Sequence, residues 1–150
     1  MSYRHSVSVA AVVVREDGRV LAIRRADNGQ WQIPGGVLEL EETIEAGLAR
    51  EVREETGLEV KVIGLTGIYK HVGLGVVALV FRCVPDGGQE TLSDETAEIG
   101  WLSAAGVQEL MPAVFAIRVQ DALGEGQPWL RAHDGIHLLM AEGEGSNHVR

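Results

Sequence analysis

Residues 42–56 have the composition and spacing of a helix, and the glycines on either side decide what that helix connects. The run holds no proline and one glycine, Gly47, and is otherwise rich in Glu, Ala, Leu and Arg, all good helix formers. Ile44, Leu48 and Val52 recur every four residues and make one apolar stripe. Gly57 supplies a left-handed C-terminal cap, and Leu58 opens a β-type run. Upstream, Pro34-Gly35-Gly36 reads as a turn. The segment is a loop, a helix and a turn, in that order.

Three carboxylates mark this helix as more than a packing element. At ~100° per residue, Glu51, Glu54 and Glu55 fall within an arc of roughly 100° that borders the apolar stripe. A solvated acidic face is the ordinary explanation of such a run, and two costs weigh against it. Glu51 and Glu55 are like charges four residues apart, which costs a few tenths of a kcal/mol. They also lie in the last turns, where the helix dipole favours cations. A divalent cation turns that repulsion into binding energy, and hard oxygen ligands suit Mg²⁺ or Mn²⁺. Glu41 and Glu42 sit at the favourable N-terminal end and need no such account.

Gly36 is followed after five residues by Glu42, and after seven more by Arg50-Glu51-Val52-Arg53-Glu54-Glu55-Thr56-Gly57-Leu58. This resembles the signature of the Nudix hydrolases, and each fixed position of it is filled: Gly36, Glu42, Arg50, Glu51, Glu54, Glu55 and Gly57, with Val52 and Leu58 at the two aliphatic positions. At ordinary residue frequencies such a match arises by chance on the order of once in 10⁸ trials, which separates it from a lone glycine motif. Trp31-Gln32-Ile33-Pro34-Gly35-Gly36 also resembles the family's usual approach to the signature.

The resemblance covers residues 6–123 and implies the Nudix fold, an α/β architecture with a mixed sheet sandwiched between helices. It implies hydrolysis of a pyrophosphate bond by attack of water on phosphorus. Such a reaction needs charge neutralisation on the phosphates, an activated water and positioning. Mg²⁺ held by Glu51 and Glu55 supplies the first and acidifies a bound water, with Glu54 as a further ligand or a base. Glu51 is the choice for both ligand and base. The carbonyl before the signature glycine, that of Gly35, is commonly a metal ligand in the family, and a glycine pair lets a carbonyl approach an ion closely. Glu42 and Arg50 are expected to fix the loop against the helix, with Gly36 and Gly57 also structural. Some members use one more acid from outside the signature. Asp94, Glu95 and Glu98 are the candidates here, Glu95 being the choice against a solvated-loop reading.

Along the rest of the chain, 6–14 and 20–25 read as strands around an Asp17-Gly18 hairpin turn, and 31–33 as a short strand. Residues 58–70 and 75–84 are β-rich, with a turn at 85–88 and a short strand at 98–102. Ser103 reads as the N-cap of a helix over 104–110, and Pro112 suits the first turn of another reaching about 123. Residues 128–140 stay ambiguous. Residues 1–140 are expected to form one domain, and 141–150, polar and glycine-containing, a disordered tail.

A formal net charge of −9 argues against general affinity for nucleic acid or anionic membrane. It does not exclude a small anionic substrate, because bound cations reverse the local sign. No apolar run approaches the ~18 residues of a membrane span. The first residues read straight into a strand rather than a signal peptide, and a single cysteine, Cys83, sits in an apolar run as a core residue. The expectation is a cytoplasmic protein acting on a small nucleotide-type substrate, compatible with a homodimer. Arg24, Arg25 and Lys70 are the candidates for holding phosphates, against the plain reading of charges on strand surfaces. Trp31 could stack on a base, although an aromatic beside a strand is more often core. His71, His133 and His137 could be ligands or general acids, although most lone histidines are neither. Motifs that mark NADH, coenzyme A, ADP-ribose or diadenosine-polyphosphate branches are not recognisable. Nucleoside triphosphates come first as substrates, ADP-ribose or nucleotide sugars second. A non-catalytic nucleotide-sensing module on the same scaffold is the rival of another class, and such modules typically lose signature glutamates that this chain keeps.

Overall fold

The computed structural model describes residues 3–140. Valine-rich β1 (Ser6–Val13) is the axis of the molecule, because its alternation splits the core into two faces. Val9, Ala11 and Val13 point to one side, and Ala10 and Val12 to the other. On the first side lies α1 (Ile44–Thr56), with Leu48 and Val52 packed against those valines. On the second lie α2 (Ala104–Leu110) and α3 (Ala113–Leu123), through Val107, Ala116, Val119 and Ala122.

The chain order from β1 runs through β2 (Val20–Arg25), β3 (Trp31–Gln32) and β4 (Gly35–Val37) to α1. It continues through β5 (Leu58–His71), β6 (Val76–Gly88) and β7 (Thr96–Leu102) to α2 and α3, and ends with β8 (Trp129–His133) and β9 (Leu138–Leu139). A six-stranded sheet has the order β4-β1-β6-β5-β8-β9, and a three-stranded sheet the order β3-β2-β7. The first is mixed: β1 runs parallel to β6 and β5 parallel to β8, while the other pairs are antiparallel. This is the helix–sheet–helix sandwich of the expected α/β class.

Several boundaries differ from the sequence reading, each for a local reason. The Asp17-Gly18 turn forms, with Gly18 at φ 85° and Asp17 accepting from the Arg19 backbone. Yet β1 and β2 share only the bridge Val14–Val20 and then diverge into different sheets. Residues 35–37, read as turn and loop, pair with β1 as β4. Helix α1 starts at Ile44, not at residue 42, because Thr43 is its N-cap and accepts from the Ala46 N–H. The expected turn at 85–88 is the end of β6, where Pro85 pairs with Val60 beside a bulge. Pro85 is tolerated because β1 leaves β6 at Cys83, so the missing N–H faces no ladder. The ambiguous stretch resolves into β8 and β9, and Arg131 of β8 is tied by two hydrogen bonds of 2.7 and 2.8 Å to Asp121, which also accepts from the buried Tyr69 hydroxyl. Cys83 is fully buried, as expected. The proposed tail at 141–150 lies outside the described residues. Among the described residues no helix is long and apolar enough to cross a membrane.

Candidate active site

Strand β4 brings the glycine pair against both β1 and α1. Gly35 pairs with Ala10 and Gly36 with Val9. A Cβ on Gly35 would run into the Val9 carbonyl, and one on Gly36 into the Glu51 carboxylate. Close approach of backbone therefore requires glycine at 35, while any side chain at 36 would have to displace the Glu51 carboxylate. The Gly35 N–H donates to Glu55 Oε1 at 2.8 Å, which fixes that carboxyl at the base of the site.

Arg50 organises the opposite side of the helix. Its fork meets Glu42 at 2.6 and 2.9 Å, and its Nη1 meets Glu51 at 2.9 Å and Glu54 at 3.1 Å. Nη2 also donates to the Val37 carbonyl at 3.3 Å. One guanidinium thus joins β4, the loop before α1 and two of the three clustered glutamates. Glu42 completes the loop by accepting from the Glu39 N–H, and Arg50 holds its carboxyl down to about 2.

The third component arrives from residues 89–95. Gly57 caps α1 at φ 79°, where a Cβ would strike the Gln89 carbonyl. The Gln89 and Thr91 N–H groups donate to the carbonyls of Gly57 and Thr56. Further along, the Ala26 N–H donates to the Glu95 carbonyl. The segment is pinned to the end of α1 and to the strand β2, and so delivers Asp94 and Glu95 beside the signature glutamates. A cleft of about 300 Å³ is lined by Glu51, Glu54, Glu55, Ser93, Asp94 and Glu95. A wider one of about 540 Å³ shares Glu55, Asp94 and Glu95 and adds Ile23, Arg25, Ala26, Asp27 and Gln32.

The electrostatics follow from this crowding. Glu55 is buried, and desolvation pushes its carboxyl up to about 7, with the Gly35 N–H opposing and the Glu51 and Glu95 charges reinforcing the rise. Glu51 is raised as well, by desolvation first, while Arg50 opposes it. The donor set is all oxygen, as Mg²⁺ or Mn²⁺ prefer, and it carries more negative charge than Arg25 and Arg50 offset. Among the described residues no three such groups are gathered closely enough to hold an ion as they stand. Arg50 meets Glu51 through Oε1 and Glu54 through both oxygens, so an ion would share Glu51 with Arg50 and draw Glu54 from it.

A pH dependence follows. The folded value of Glu55, about 7, exceeds the 4.5 of an unperturbed glutamate, so between those values the folded protein keeps a proton that the unfolded chain has released. Stability without metal is expected to fall as pH rises through that window and to level off above about pH 7. Thermal melts from pH 5 to 8 in chelator, compared with Glu55→Gln, check this: the wild type should lose melting temperature relative to the variant. Parallel curves would show that Glu55 is not perturbed.

Of the residues proposed from sequence, Glu51, Glu54, Glu55 and Glu95 line one cleft, with Gly35 hydrogen-bonded to Glu55 beneath it. Arg25 lines the wider cleft, held by Asp27 at 2.6 and 2.8 Å. Arg24 lines neither cleft: as Arg25's neighbour in β2 it points to the other face, where it pairs with Glu98 at 3.1 Å. Trp31, Arg24's cross-strand partner, packs there on the core beside Gly100. Lys70 is exposed on β5 and lines neither cleft. His133 is buried between His71, Phe115 and Arg118, and His137 is beside Asp134, all apart from both clefts. Sequence reading passed over Asp27, Gln32 and Ser93. The spacing of Asp27 two residues after Arg25 was the one available signal, since such pairs close on themselves in a turn.

Known proteins resemble this chain in sequence and in fold. A family model described as NUDIX domain matches residues 4–121. A MutT-like protein of Streptomyces ambofaciens is 61% identical over 137 residues, covering 91% of this chain and 89% of the relative. An ADP-ribose pyrophosphatase of Methanocaldococcus jannaschii is 33% identical over 103 residues, covering 64% of this chain and 61% of that protein. In structure, a NUDIX hydrolase from Nitrosomonas europaea superposes with a TM-score of 0.75 at 23% identity, over 88% of this chain and 82% of that one.

Proposed function

The chain belongs to the Nudix family and is a Nudix pyrophosphohydrolase, and from that premise we propose that it hydrolyses, with Mg²⁺, the pyrophosphate bond of a nucleoside diphosphate linked to a further group. The observation that carries this reading is the convergence of Glu51, Glu54, Glu55 and Glu95 on one cleft, with Glu55 held by the Gly35 N–H. Five carboxylates around so small a space, Asp94 being the fifth, repel a phosphate, so the arrangement has a purpose only with a cation between them. Bound Mg²⁺ (or Mn²⁺) would neutralise phosphate charge and acidify water. Glu51 and Glu55 would hold it, with Glu54 and Glu95 as further oxygen donors and the Gly35 carbonyl beside them. Arg50 orients Glu51 through Nη1 at 2.9 Å, and Glu51 is the group proposed to take a proton from the attacking water. Arg25 is the cation within reach of the substrate's phosphates. The ADP-ribose pyrophosphatase named above and the MutT-like relative bracket the substrates to try first.

Purified protein offered nucleoside triphosphates, ADP-ribose and nucleotide sugars should release nucleoside monophosphate products, identified by mass. Turnover should need added Mg²⁺ or Mn²⁺ and fall to background in excess EDTA. Full turnover in EDTA would remove the cation from the mechanism. Tight nucleotide binding with no hydrolysis of any substrate would favour the sensing module instead.

A further inference from the structure

Glu51, Glu54 and Glu55 are held at the smaller cleft by α1, but Asp94 and Glu95 come from a segment outside any helix or strand. What places them is a tight turn over residues 93–96. The Thr96 N–H donates to the Ser93 carbonyl at 3.2 Å, and Asp94 and Glu95 are the two central residues. Serine suits the first position of such a turn because its hydroxyl can bond the backbone two residues on. Here Ser93 Oγ accepts from the Glu95 N–H at 3.3 Å and donates to Thr96 Oγ1 at 3.2 Å. Thr96 is 2% exposed, so one end of the turn is anchored in the core, while Asp94 and Glu95 stay exposed. The Ala26 N–H ties the Glu95 carbonyl to β2 at 2.9 Å. Desolvation is what mainly raises the Glu51 and Glu55 carboxyls, and the Glu95 charge adds to the rise in both. Glu95 therefore faces the two helix carboxylates that would hold the cation, from a turn that Ser93 closes.

We propose that Ser93 is a positioning residue, whose hydroxyl, bonded to the Glu95 N–H and to Thr96 Oγ1, fixes the Glu95 carboxylate opposite Glu51 and Glu55 before a cation arrives. The role rests on the cation reading given above. Without a cation, like charges drive Glu95 away from Glu51 and Glu55, and the bonds of the turn resist that displacement. Ser93 acts through Glu95 and need not touch the ion. Holding an exposed acidic turn in its bound geometry removes the ordering that binding would otherwise require, which strengthens binding without a new contact.

Mn²⁺ binding without substrate, measured by calorimetry and by electron paramagnetic resonance, tests this in the wild type, Ser93→Ala, Glu95→Gln and the double variant. Ser93→Ala should bind Mn²⁺ about fivefold more weakly, the size of one lost hydrogen bond. Its melting temperature in chelator should stay close to that of the wild type, because the two acids of the turn are exposed. In the Glu95→Gln background the same substitution should change affinity by less than about twofold, since the hydroxyl acts through that carboxylate. Ser93→Thr keeps the hydroxyl and should bind Mn²⁺ as the wild type does. Unchanged affinity in Ser93→Ala, losses that multiply in the double variant, or a threonine variant as weak as the alanine one would each overturn the positioning role and leave the cation reading standing. A wild type that binds no Mn²⁺ would overturn both.

Discussion

Glu51→Gln and Glu55→Gln are each expected to lower turnover on the order of 10²–10⁴-fold while leaving the protein folded, a size set by losing a catalytic proton acceptor or a cation ligand. The substitution keeps shape and removes charge. At residue 51 it retains a neutral acceptor for Arg50, now 2.9 Å away, and relieves repulsion from Glu55. At residue 55 it removes the cost of ionising a buried carboxyl, while the amide oxygen still accepts from Gly35. Melting temperature without metal should therefore hold or rise in both variants, most clearly above pH 7 for residue 55. A loss of activity by unfolding would show the opposite. Saturation with Mg²⁺, followed by calorimetry, should shift to higher concentration in both. Unchanged rates in both variants would move the chemistry off this helix.

Much of this site could be read from the chain because α1 is local. Its period, its Thr43 and Gly57 ends and its three glutamates are all fixed within residues 36–58. What sequence could not show is which distant groups meet it. Strand β4 has three residues, too few for an alternating pattern, and exists only because β1 offers it an edge. Arg24 and Arg25 look alike in the chain, yet strand alternation sends one to Glu98 and the other into the cleft. Choosing between them requires knowing which face of β2 carries α1, and that depends on β1 packing 10 residues or more upstream. Asp94 and Glu95 were distinguishable from Glu98 only through tertiary hydrogen bonds, those that pin 89–95 to Thr56, Gly57 and Ala26. Gln32 carries no charge and lies in the approach to the signature rather than in it, so its place in the wider cleft becomes visible only when the cleft does. The expectation for Pro85 failed for the complementary reason: a proline is a turn signal only where the strand has a neighbour on its N–H side.

Arg50→Ala should lower the melting temperature on the order of 5 °C or more at neutral pH, the second large effect expected here. The Arg50 side chain is 24% exposed and those of Glu42 and Glu51 are 15% exposed each, so this is neither a surface ion pair nor a dry one. Removing it leaves two half-sheltered carboxylates without their partner and frees the loop that Glu42 closes onto the Glu39 N–H. Glu42 carries the pH signature. Its carboxyl is held at about 2, below the ordinary 4.5, so the stability it contributes is complete above pH 4.5 and is lost as pH falls toward 2. The difference between wild type and Arg50→Ala should shrink over that range. Arg50→Lys separates charge from geometry. Lysine keeps the charge but cannot reach both Glu42 oxygens and Glu51 from one plane, so it should recover less than half of the lost stability. Full recovery by lysine would mean that charge alone matters at this position, and wild-type melting of Arg50→Ala would mean that the loop is held by other contacts.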